Sequence, residues 1–294
     1  MWGDSTLCSG GRRAGMAARA RRRSVRGMLC GLWRAAAAVA LLALLRAGGG
    51  AAVVVHSPSE LVQAWAGGEA VIEIAAVRGT VWVLNTTLPP AVAPVHLRGG
   101  GVVLDGAREH GCLAVPGLPD VRIEDVTLLD CAGAGVLATG TRNLTLVGVA
   151  VHNSTGAGVH VTGERAVLRD LHVAGCGGDG VVLSGAAHEL HTSRVGTTAD
   201  GLAAWGNARH GVQAGGCRFC VVADSLVSGN GPDAQALETV FGLVLTGNGS
   251  LALRNRIGTD ATGMYAVPNP SGVFCAEGCQ LQHNLISGKT GGGA

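Results

Sequence analysis

The chain has 294 residues, 49 of them glycine, and is 47% hydrophobic, 14% charged and 3% aromatic. That much glycine with so little charge excludes both a helical bundle and a disordered chain, and it leaves a turn-rich protein with a core of small aliphatic layers. The formal charge of +2 hides an asymmetry: nine of the 22 basic residues precede Val53, and the body beyond holds 13 basic and 19 acidic residues. A mildly acidic body without a basic stripe argues against nucleic acid as a partner.

Residues 1–52 read as a signal peptide or signal anchor. Arg12, Arg13, Arg19, Arg21 to Arg23 and Arg26 precede the apolar run Ala35 to Leu45, and small residues follow at Ala47 to Ala52. This is the basic, apolar, small order of a secretory leader, although an organelle transit peptide shares the acid-poor, Arg-rich start. Met28 opens a conventional basic region of its own. The apolar run is shorter than the ~20 residues that span a bilayer, so contact with a membrane is expected only through an uncleaved leader. Secretion, or display at the cell surface, would offer four sequons for glycosylation, at Asn85, Asn143, Asn153 and Asn248.

Residues 53–110 read as a cap with the first strands. Ser57-Pro58-Ser59-Glu60 has the spacing of a capping box with proline at the first helical position, which predicts a short helix with Leu61 and Trp65 on one face. Short apolar runs follow at Val71 to Ile74, Val81 to Leu84, Val95 to Leu97 and Val102 to Leu104, bounded by turn residues as strands are.

Residues 111–294 repeat. A glycine recurs at Gly111, Gly135, Gly158, Gly180, Gly211, Gly242 and Gly272, and a second mark keeps step with it: Val126/Leu128, Val149/Val151, Leu171/Val173, Ser193/Val195, Ser225/Val227, Asn255/Ile257 and Asn284/Ile286. The distance from the second mark to the next glycine is 7 residues in the first three repeats, then 16, 15 and 15. The extra length therefore enters at one corner of a parallel β-solenoid, where insertions stack as a ledge. The solenoid is predicted to be truncated at the C-terminus, because Ala294 falls where the next corner glycine is due and no polar cap precedes it.

With NLISGK at Asn284 to Lys289, SLVSGN at Ser225 to Asn230 and IGTDATG at Ile257 to Gly263, the chain resembles the right-handed parallel β-helix, or pectate-lyase-like, superfamily over residues 55–294. The resemblance implies an all-β solenoid with a short N-terminal capping helix. Polygalacturonases of that group carry Asn-Thr-Asp, Asp-Asp, Gly-His-Gly and Arg-Ile-Lys, and no matching set occurs here, so no glycosidase role is carried over. Calcium is the cofactor the resemblance would suggest. The row Asp125, Gly148, Asp170, Thr192, Asp224 leaves its carboxylates ~9.6 Å apart, two turns of ~4.8 Å, too far to share an ion. No metal or other cofactor is expected.

The same turn spacing sorts the other candidates. Asn255 and Asn284 are predicted rungs of a hydrogen-bonded ladder. Cys131 and Cys176, like Cys220 and Cys279, stand two turns apart, beyond disulfide reach. The four thiols Cys217, Cys220, Cys275 and Cys279 imitate a zinc spacing but would have to straddle two turns, which leaves pairing within each couple open. Asp179 and His210 fall in adjacent turns, where a carboxylate could orient an imidazole, and are the candidate catalytic pair. The ledge supplies candidate substrate-binding residues Asp200, Trp205, Asp260 and Tyr265, with Asp233 and Glu238 in its middle loop. Trp205 and Tyr265 could equally fold inward beneath their loops, and Asn207 and Asn269 read as residues that fix the loop turns. The expected function is a secreted β-helix that binds or spaces polysaccharide or cell-surface glycan partners without assignable catalysis. A polysaccharide lyase or glycoside hydrolase with an unrecognised site is the alternative.

Overall fold

The computed structural model describes residues 51–231, 239–276 and 278–287. Residues 1–50 of the expected leader, with Asp233 and Glu238, lie outside the described residues. Among the described residues no helix is long and apolar enough to cross a membrane.

The helix forms as Pro58–Ala66. The Ser57 hydroxyl accepts a bond from the Glu60 N–H, the Glu60 carboxylate accepts from the His56 N–H at 2.8 Å, and Leu61 and Trp65 are buried. Trp65 also donates its indole N–H to the Pro89 carbonyl at 2.8 Å, which fixes the helix on the first turns of the coil.

From there the chain winds as parallel strands in three columns. The first runs through Val71–Ile74, Thr145–Val147, Val167–Arg169, Glu189–His191, Val221–Ala223, Leu251–Leu253 and Gln280–Gln282. The second runs through Ala150–His152, His172–Ala174, Arg194–Val195, Leu226–Val227, Arg256–Ile257 and Leu285–Ile286. Two long strands, His96–Asp105 and Arg122–Leu129, pass through both columns and join them into one sheet of 17 strands. The third column is a separate sheet of seven strands, from Leu113–Pro116 to Ser271–Ala276. The sequence runs Val95 to Leu97 and Val102 to Leu104 fall in one strand instead of two.

The two sequence marks keep step because they touch. A Cβ added at Gly135, Gly158, Gly180, Gly211, Gly242 or Gly272 would strike Val151, Val173, Val195, Val227, Ile257 or Ile286 of the following repeat. Any side chain there would overfill a core in which those apolar residues of the described interior are fully buried from Val151 to Ile257.

Polar ladders close the corners. Leu171 N–H donates to Ser193, Ser193 N–H to Ser225, Ser225 N–H to Asn255 and Asn255 N–H to Asn284, over 2.8 to 3.1 Å. A second ladder runs at the next corner: Cys176 N–H donates to the Asn207 amide oxygen, Asn207 to that of Asn230 and Asn230 to that of Asn269. Asn207 and Asn269 are thus buried rungs of the core and not loop-turn residues. A third runs from Ala166 N–H through His188, Cys220 and Ser250.

Three disulfides form among the described residues: Cys112–Cys131, Cys217–Cys220 and Cys275–Cys279. Cys131 therefore finds a partner in Cys112, with Cα atoms 5.6 Å apart, which turn-to-turn equivalence does not reveal. The thiols of the imitated zinc site pair within their couples. Cys176 stays a buried thiol, and burial pushes its pKa up to about 11.

Candidate functional site

Asp179 and His210 are neighbours, but the carboxylate does not orient the imidazole. Asp179 accepts from the backbone N–H of His210 at 2.9 Å, and His210 Nδ1 in turn accepts from the backbone N–H of Phe241 at 3.0 Å. The row works as an outward ladder in which each side chain caps the next turn. The His210 ring lies nearly parallel to that of Phe241, centroids 6.0 Å apart.

The acidic row also has a structural reading. Asp125, Asp170 and Asp224, with Thr192, Arg254 and His283, all have φ between 48° and 56°, and Gly148 has 62°. Asp is one of the few side chains that enter the left-handed region without a large penalty. Their carboxylates face Arg78, the Thr192 hydroxyl and Arg254. Among the described residues no group of three or more potential ligands is placed to hold a metal.

Among the described residues the ledge shows two loops of one design. In Thr197–Gly206 and Thr259–Pro268, bridges join Thr197 to Ala204 and Thr259 to Ala266. The first carries Thr198 and Asp200 where the second carries Asp260 and Thr262, and in both the threonine hydroxyl donates to the aspartate. Asp200 also accepts from Leu202 N–H, and Asp260 from Met264 and Tyr265 N–H. Asp260 is 2% exposed. Burial alone would raise its pKa, but the donors from Thr262, Tyr265 and Met264 outweigh it and hold the carboxyl below its usual range. Both carboxylates staple their own loops; that of Asp260 is buried by doing so, while Asp200 stays exposed at the loop surface.

The two aromatics diverge. Trp205 turns inward onto His152 and His172, ring centroids 4.6 and 6.0 Å away. Tyr265 points out, 72% exposed. The loops touch through Ala261 N–H, which donates to the Gly201 carbonyl at 2.9 Å. Of the sequon residues, Asn85, Asn143 and Asn248 are exposed and Asn153 is half-buried.

Sequence reasoning missed a groove of about 540 Å³ between the tip of the second loop and the turns beside it. It is lined by Asp224, Arg254, Asn255, Arg256, Thr262, Gly263, His283 and Leu285. Asp224 and Arg254 form a two-bonded pair at 2.7 and 2.8 Å, and that Arg254 contact holds the Asp224 carboxyl below its usual range. Among the described residues no carboxylate pairs with Arg256, whose guanidinium forms part of the lining. The volume falls in the ordinary range for small-molecule sites.

A three-sided coil of parallel strands, with stacked polar corners and insertions on one edge, defines a parallel β-solenoid. The right-handed β-helix region model matches residues 101–294, and the chain belongs to that family. Among solved structures it is similar to the A-modules of two Azotobacter vinelandii mannuronan C-5 epimerases. For AlgE4 the TM-score is 0.42 at 17% identity, covering 76% of this chain and 78% of that one. For AlgE6 it is 0.30 at 14%, covering 74% and 81%. No curated protein matches the sequence.

Proposed function

We propose that this is a secreted or cell-surface β-helix that binds an acidic glycan in the groove at Arg256 and does not turn it over. The groove carries the reading: it is large enough for a sugar unit with its neighbours, and Arg256 offers a planar pair of donors suited to a carboxylate or sulfate. Binding without turnover is supported by the state of the candidate acids. Asp179, Asp200 and Asp260 are engaged in capping or stapling bonds, and none of the three belongs to the lining of the groove.

Arg256→Ala is expected to weaken binding of an oligogalacturonate by roughly tenfold to a hundredfold, the value of a charge-assisted hydrogen bond, as read by calorimetry. Asp179→Ala should leave the affinity within about twofold, since that residue caps a turn and is not part of the groove lining. Unsaturated or reducing ends released from the glycan, and lost with Asp179→Ala, would favour the lyase or hydrolase alternative and overturn the binding reading.

Export is supported by the order of the leader and by three disulfides, which form in oxidising compartments. Expressed in cultured cells, the protein should reach the medium or the surface and lose mass on endoglycosidase treatment, with Asn85, Asn143 and Asn248 as acceptors. Retention inside the cell with no glycan attached would count against this route.

A further inference from the structure

His152 and His172 are held in one arrangement by what surrounds them. The carbonyl of Thr197, at the root of the first ledge loop, can only accept, so the 2.8 Å contact places a proton on His172 Nε2. In the neutral ring His172 Nδ1 is then an acceptor, and His152 Nε2 donates to it across 3.0 Å. Trp205, from the far end of the same loop, covers both rings, and its backbone N–H and C=O are bonded to Gly196 and Gly175. Two neutral imidazoles therefore fasten both ends of the loop to the coil.

We propose that His152 and His172 form a latch that holds the loop Thr197–Gly206 closed at neutral pH and releases it in acid. Release is transmitted to the groove through the bond from Ala261 to Gly201, because Thr262 and Gly263, next in the chain, form part of the groove wall. This second half rests on the reading of the groove as a ligand site.

A second proton on His172 would occupy Nδ1 and break the bond from His152. The Nε2–H bond to Thr197 would persist, so what opens the loop is the cost of holding a charged imidazole beneath Trp205. The charged surroundings do not favour that proton: Arg194 of the next turn acts on His172 and on Asp200 of the loop, and Asp130, beside the turn of His152, is paired with Arg108. Burial, and then the His172 neighbour, lower the His152 pKa to about 4, and burial also lowers that of His172 against its bond to Thr197. The closed state thus binds fewer protons than the open one. Closure is fully favoured above the ordinary imidazole range near 6.5 and weakens as pH falls from there towards 4.

Hydrogen exchange of the segment 196–206, corrected for intrinsic rates, tests the latch between pH 7 and pH 4.5. Opening should rise with acid by up to roughly tenfold per pH unit for each proton taken up. The strand Val159–Glu164 serves as an internal reference and should stay protected. The double variant His152→Gln/His172→Gln keeps hydrogen-bonding groups at both positions without titrating, and its exchange should not respond to pH. Each single variant should show a reduced slope, which guards against a double variant that folds poorly. An unchanged segment at pH 4.5, an acid step shared by Val159–Glu164, or an acid step that survives in the double variant would overturn the latch. Oligogalacturonate binding at pH 7 and pH 5 then tests transmission: affinity should fall in the wild type relative to the double variant. Opening without that difference overturns the transmission alone. Absence of binding at pH 7 overturns the proposed function and leaves the latch to be judged by exchange.

Discussion

Asn230→Ala is expected to destabilise the protein by about 3–5 kcal/mol, because each buried polar group left without a partner costs about 1–3 kcal/mol. The Asn230 amide oxygen accepts from the Asn207 N–H and side-chain amide, and its nitrogen donates to the carbonyls of Val195 and Ser228. Alanine removes all of these at once in a fully buried corner. Urea unfolding measures the loss, and Asn248→Ala, at an exposed position, should stay within about 0.5 kcal/mol of wild type. A loss below about 1 kcal/mol at Asn230 would mean that the corner amides find water instead of the ladder.

Gly163→Ala is expected to cost a similar amount through a different cause. Gly163 has φ +125° and lies so close to the previous turn that a Cβ would overlap the Thr141 carbonyl oxygen. The backbone conformation alone costs about 1–3 kcal/mol for a side-chain residue, and the overlap adds about 1–3 more. Gly133, at φ +78° with nothing within 4 Å of where a Cβ would stand, separates the two causes. Gly133→Ala bears only the conformational part and should unfold at a clearly higher denaturant concentration than Gly163→Ala. Equal losses would show that close approach of the turns is not what the Gly163 position requires.

Much of the fold was legible because a solenoid writes its contacts at a fixed interval. The corner glycines and the apolar marks could be paired by counting, since each glycine packs on the mark of the next repeat. The ladder from Ser193 to Asn284 was legible for the same reason. The ladder through Asn207, Asn230 and Asn269 was hidden by the insertions. It stands three residues after Val227 but twelve after Val195 and Ile257, since the first and third long loops enter before the rung and the second enters after it. Candidate-site legibility was lower. Asp200 and Asp260 looked like free acids because a loop staple and a ligand both call for an exposed-looking aspartate beside threonine and glycine. The groove is assembled by residues from four separate stretches between Asp224 and Leu285, and no single stretch carries its pattern. What turns Trp205 inward is the histidine pair beneath it, and those histidines come from neighbouring strands at different register positions, Ala174 opposite His152 and Ala150 opposite His172.

The corner asparagines all reach the same way. Asn207, Asn230, Asn269, Asn255 and Asn284 each accept a backbone N–H from the turn before and donate to a carbonyl of that earlier turn, at Val173, Val195, Val227, Val222 and Ala252. The coil is therefore directional in the manner of a filament with unlike ends. A newly added turn brings the groups that complete its predecessor, and its own corner waits for the next. During synthesis from the N-terminus, each finished turn is a template, and assembly can advance rung by rung without a later segment having to return.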